Sequence, residues 1–225
     1  YEKTIGKDNF LYGRVINNMT SALIDCGNFN DAKSLLENAL KIDKTHYENS
    51  NSHIISLLNL AHVLLEENDF SNAFELINKA DEMSNSLNGN LSLLSAQIQD
   101  FYASFYFKNG QLKKAIEYSE KSLDLKKKIK GENFVGLHIN YSNLSSYYHS
   151  LGVYSKAENY IYKSISIIES IFGEESPNYI SAKSNLSILF IESGKYKDAL
   201  NINLNLLNIL KSRNDTISLD FQQVF

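Results

Sequence analysis

Five histidines, one cysteine and a block of four lysines are the residues here that could carry a reaction, a metal or an anion. His46, His53, His62, His138 and His149 form no H-E-x-x-H pattern and no His/Cys cluster at metal-ligand spacing. His62 and His149 lie in non-adjacent segments and read as solvated groove residues. Cys26 has no histidine at a nucleophile-pair spacing and reads as a small packed residue beside a turn. Lys126, Lys127, Lys128 and Lys130 could present a patch to nucleic acid or an anionic membrane. They also close an amphipathic segment, where cations suit a helix C-terminus, and that reading asks for no partner. No glycine cluster makes a phosphate loop. The expectation is a non-enzyme with no catalytic residue, cofactor or metal.

A different row points to binding. Asn18, Asn59, Asn143 and Asn185 each precede an alanine (Ala32, Ala73, Ala157, Ala199) by fourteen residues, and Phe101 holds the same place before Ala115. Asparagine is a mediocre helix former whose amide offers two donors and an acceptor, the complement of a peptide backbone. Either the row holds an extended segment, or it bonds the neighbouring unit and orders a stack. Phe101, with Tyr102, Phe105 and Phe107 nearby, is either an apolar spot in a groove or a degenerate phase.

The elements that must position this row repeat. Leu151-Gly152-Val153-Tyr154-Ser155-Lys156-Ala157 recurs in altered form at 26–32, 67–73, 109–115 and 193–199, so the alanines are spaced by 41, 42, 42 and 42 residues. Such a period signals stacked units. In the fourth unit Ile139, Leu144, Tyr147, Tyr148 and Leu151 mark one helical face before Gly152. Tyr154, Ala157, Ile161, Ile165 and Ile168 mark another after it, at helical spacing. Glycine past a helix end takes left-handed angles at little cost, and Asn68 stands in that place in unit two. Small residues twelve before the alanine (Thr20, Ala61, Ala103, Ser145, Ser187) predict close helix crossings.

Together these positions resemble the tetratricopeptide repeat, in which small residues on two helices interlock and an aromatic follows the turn. The period exceeds the family's usual ~34 residues and is similar to the longer units of kinesin light chains and bacterial regulatory proteins. Phe172-Gly173-Glu174-Glu175-Ser176-Pro177 resembles the joint between such units. The resemblance implies an all-α, right-handed α-solenoid of antiparallel helix pairs. The pairs are expected over 10–44, 50–87, 91–129, 134–171 and 176–212, in a single solenoid spanning 1–225. Partial units at 1–8 and 216–225 and the missing polar caps mark an excerpt of a longer protein. In relatives that bind extended peptides, first-helix asparagines hold the ligand. That implies a role here for Asn18, Asn59, Phe101, Asn143 and Asn185.

The composition sets bounds. With 22 basic and 26 acidic residues the net charge is −4, which implies no strongly charged partner. One proline and no Ser/Pro-rich linker argue against an internal domain boundary. No apolar run approaches the ~20 residues of a membrane span, no signal peptide opens the chain, and one cysteine fits a reducing compartment. A cytoplasmic protein is expected, with a protein or extended peptide as partner and neither nucleic acid nor membrane. The groove-facing phases carry Arg14 but otherwise mostly serines and aliphatics, too few cations to clamp an acidic tail. The leading reading is a binding scaffold. The alternative is an intramolecular regulatory arm of a larger protein with a protease, kinase or DNA-binding effector domain.

Overall fold

The computed structural model describes residues 10–46 and 50–212. They form ten α-helices: α1 (Phe10–Asp25), α2 (Phe29–His46), α3 (Asn51–Glu66), α4 (Phe70–Asn88), α5 (Leu93–Lys108), α6 (Leu112–Lys130), α7 (Leu137–Ser150), α8 (Tyr154–Phe172), α9 (Pro177–Glu192) and α10 (Tyr196–Ser212). No described helix is long and apolar enough to cross a membrane. The expected partial units at 1–8 and 216–225 lie outside the described residues.

The chain divides into two compact units, residues 1–125 and 126–225. In the first, α1 packs on α2 and α3 on α4, and α2 meets α3 as α4 meets α5. The first helices also touch in succession, α1 with α3 and α3 with α5. In the second unit α7 packs on α8, α8 on α9 and α9 on α10. Helix pair stacked beside helix pair is the layout of an all-α solenoid.

The turns explain the pairing. Each of the five turns inside a pair closes a Schellman motif. At Gly152 the amide donates to His149 O at 2.8 Å, and the next amide, Val153 N, donates to Tyr148 O at 2.9 Å. Gly152 has φ +75° and Asn68 has φ +61°, the left-handed conformation expected of both. A Cβ at Gly152 would meet nothing within 4 Å, so its requirement is conformational rather than steric.

The alanines sit at the crossings. Ala32, Ala73, Ala115, Ala157 and Ala199 are buried, as are Thr20, Ala61, Ala103, Ser145 and Ser187. Two of the hydroxyls also bond across the pair: Ser145 Oγ donates to Ala157 O at 2.8 Å and Ser187 Oγ to Ala199 O at 3.4 Å. The core of the first unit gathers Ile54, Leu58, Leu65, Ile77 and Ile98 around Ala61, Ala73 and Ala80. Phe74 enters from α4 and packs against Phe105 of the next pair, ring centroids 4.8 Å apart.

One expectation changes. Cys26 is exposed rather than packed, because the left-handed Gly27 that follows ends α1 there and the helix end faces solvent. Tyr196, which shares the phase of the half-buried Phe29 and Phe70, is 68% exposed on the last described helix, beside exposed Leu200 and Leu204.

Candidate functional site

Clefts open between successive first helices inside each unit, and Asn18, Phe101 and Asn185 of the row lie along them. Between α1 and α3 the cleft is lined by Arg14, Asn18, Ser21, Asn51 and Ile55, with Asn17 at its base. Between α3 and α5 it is lined by His62, Leu65, Glu66, Phe101, Ser104 and Lys108. Between α7 and α9 it is lined by Ser142, Ser146, His149, Asn185 and Ile188.

The asparagines divide by their bonds. Asn18 and Asn185 are exposed and Asn143 is half-buried, and none of the three side chains has a hydrogen-bond partner among the described residues. Asn59 is different. It is only 9% exposed, and its Nδ2 donates to Thr20 Oγ1 on α1 at 3.4 Å. Of the two alternatives for the row, Asn59 takes the second: its amide bonds the neighbouring unit, because Thr20 offers it an acceptor on the adjacent first helix. Asn17, one residue before the row begins, is tied more fully still. Its Nδ2 donates to Ser52 O at 3.1 Å, and its Oδ1 accepts from Ser56 Oγ at 3.0 Å. Two amides thus lock α1 to α3, while Asn18 on the same turn is left to the cleft.

Phe101 is half-buried, with His62 edge-on at 6.4 Å between centroids. Beside it Glu66 is bridged by His62 at 3.4 Å and by Lys108 at 3.0 Å. This charged rim was not singled out from the sequence, although Glu66 and Lys108 stand 42 residues apart at one phase of the repeat. His149 meets Glu192 at 2.7 Å in the second unit.

Two of the four lysines in the block are engaged within their own unit. Lys126 Nζ donates to Asn140 Oδ1 at 2.6 Å, and Lys127 meets Glu132 at 2.9 Å while lying 5.8 Å over the Tyr141 ring. The Glu132 hydrogen bond raises the Lys127 pKa above its ordinary value. Burial, helped by the charge of Lys126, lowers that of His138. No group of three or more His, Cys, Asp or Glu side chains that could hold a metal occurs among the described residues.

Two tetratricopeptide repeat family models match the sequence, over residues 136–212 and 96–129. The chain carries tetratricopeptide repeats. Solved structures extend this to the fold of most of the chain. One holds the nearly identical TPR-like repeats of a Podosopora anserina protein assigned as a kinesin light chain. It has TM-score 0.70 and 18% identity, covering 90% of this chain and 96% of that one. A Rap protein complexed with Competence and Sporulation Factor matches with TM-score 0.72 and 17% identity, covering 92% of this chain and 55% of that one. NprR in complex with its cognate peptide NprX matches with TM-score 0.66 and 19% identity, covering 88% and 55%. Among curated proteins, no sequence matches this chain significantly. The fold of most of this chain is thus similar to that of kinesin light chain-like repeats and of Rap and NprR.

Proposed function

We propose that this tetratricopeptide array is a non-enzymatic binding module that takes an extended peptide, or an extended segment of a protein, along its first helices. The observation that carries the reading is the set of amides at Asn18, Asn143 and Asn185, which lack partners among the described residues and project from first helices. A helix surface satisfies its own backbone, so amides presented in this way are suited to pairing with the backbone of something else. Phe101 supplies an apolar wall for a side chain of that segment, in the manner of an anchor residue in a groove. Among structural neighbours, NprR is seen with a cognate peptide and Rap with Competence and Sporulation Factor, and both support this use of the fold.

A second reading has the segment supplied by the parent polypeptide itself, with these repeats as a regulatory arm. The chain spans 55% of Rap and of NprR. Screening an array of random dodecapeptides against the 225-residue chain tests the first reading. Binders should shift the side-chain amide resonances of Asn143 and Asn185. Binders that leave those resonances unmoved, or an array that yields none, would count against it.

A further inference from the structure

An ion-pairing bridge crosses between successive first helices in each unit, and the two differ in their cation. In the first unit Lys108 on α5 meets Glu66 on α3 at 3.0 Å, beside Phe101. In the second, His149 on α7 meets Glu192 on α9 at 2.7 Å, His149 lining the same cleft as Asn185. Glu66, Lys108 and Glu192 share one phase, seven residues before Ala73, Ala115 and Ala199. On α7 that phase falls to Ser150, which has no charge to offer, and the adjacent His149 makes the bridge instead.

The two bridges respond differently to protons. Lysine and glutamate both stay charged between about pH 5 and 8, so the first bridge is constant over that range. An imidazole gains its charge within it. Neutral His149 offers Glu192 at most a single hydrogen bond from Nε2, whereas the protonated ring adds a full charge to that bond. The groups that face the ring are Tyr154 on α8, 5.9 Å away between centroids, and Glu192 on α9. The lysines of these helices are engaged elsewhere: Lys156 and Lys163 lie over the rings of Tyr148 and Tyr160, and Lys183 over Tyr179. Lys195 on α10 meets Glu158 at 2.6 Å.

Resting on the peptide-binding reading, we infer that the His149–Glu192 bridge is a protonation-sensitive latch that couples the second unit's grip on a peptide to pH, with affinity rising in acid. The bridge joins the two helices that wall the cleft. The firmer it is, the less motion a bound segment has to arrest on entering. Linkage is reciprocal, so a peptide that binds also draws a proton onto His149. The first unit adds no such dependence, because the carboxylate that His62 meets at 3.4 Å is already paired with Lys108.

The test takes an uncharged binder from the dodecapeptide array, acetylated and amidated, so that any pH dependence belongs to the protein. Its affinity for the wild-type chain should be about two- to fivefold higher at about pH 5.5 than at about pH 7.5, the worth of a partly exposed ion pair. His149→Gln should bind at the weaker level at both pH values. His149→Lys, which copies the first unit's cation, should bind at the stronger level at both. His62→Gln should keep the wild-type dependence. Thermal melts at each pH verify that the variants are folded. A wild-type affinity that does not move with pH, or a dependence that survives His149→Gln, would overturn the latch and leave peptide binding standing. An array with no binders at either pH would overturn both.

Discussion

Asn59 Nδ2 donates to Thr20 Oγ1 at 3.4 Å, joining the first helices of two successive pairs through side chains. The asparagine that recurs in four of the five units is thus, at this position, a stacking residue. Asn59→Ala should lower the melting temperature, since a net hydrogen bond is worth about 0.5–1.5 kcal/mol. Asn17→Ala should lower it further, because the Ser52 carbonyl and the Ser56 hydroxyl both lose a partner. Neither change should alter ligand affinity per folded molecule. Scanning calorimetry alongside titration of an array-derived peptide checks both halves.

Ala157 is fully buried, and its carbonyl accepts from Ser145 at 2.8 Å. Ala157→Leu should therefore destabilise the protein by about 1–3 kcal/mol through overpacking. Ser145→Ala should cost about 1 kcal/mol, the value of one net hydrogen bond. Urea denaturation measures both, and a melt of Ala157→Leu matching the parent would contradict the crossing.

At Gly152 conformation and space separate cleanly. Its φ is +75° and its missing Cβ would touch nothing, while Asn68 holds φ +61° at the equivalent turn. Gly152→Asn should be tolerated. Gly152→Val should cost about 1–3 kcal/mol, because a β-branched residue is strained in left-handed geometry. Equal melting temperatures for the two variants would contradict the assignment.

Most of this architecture was legible in the sequence because its causes are local. The glycine or asparagine at each turn has to be left-handed, and the alanine has to be small. Those demands recur with the repeat, so helix ends could be read to within about three residues, the largest departure being the start of α7 at Leu137 rather than 134. The division of the asparagine row was not legible, because it depends on where neighbouring hydroxyls point. Thr20 Oγ1 turns back to its own helix at Asn17 O, at 2.9 Å, and stays within reach of Asn59. Ser145 reaches instead across its pair to Ala157, and Asn185, lining the same cleft as Ser145, keeps its amide unpaired among the described residues. Identical phase gives the two asparagines the same address and different surroundings. Cys26 shows the same limit: the sequence placed it beside the turn, but exposure depends on what packs over the helix end.

The pH dependence of stability should carry a histidine signature. Burial, with help from Lys126, lowers the His138 pKa below the ordinary 6.5. The folded state therefore binds that proton less readily than the unfolded chain. The associated stability is fully present above pH 6.5 and is lost as the pH falls through the lowered folded value. His138→Gln should flatten that part of the profile, measured as melting temperature between pH 7 and about pH 5 relative to wild type. An unchanged slope would assign the acid sensitivity elsewhere.

The proposal that the first helices bind an extended segment is tested most directly in the second unit, by measuring melting temperature and peptide affinity on the same samples of Asn143→Ala/Asn185→Ala. With two backbone-pairing amides gone, affinity for an array-derived peptide should fall about five- to a hundredfold. The melting temperature should stay close to wild type, since neither amide has a partner to lose among the described residues. Full affinity per folded molecule, together with a lowered melting temperature, would make the whole asparagine row a stacking device and contradict the account.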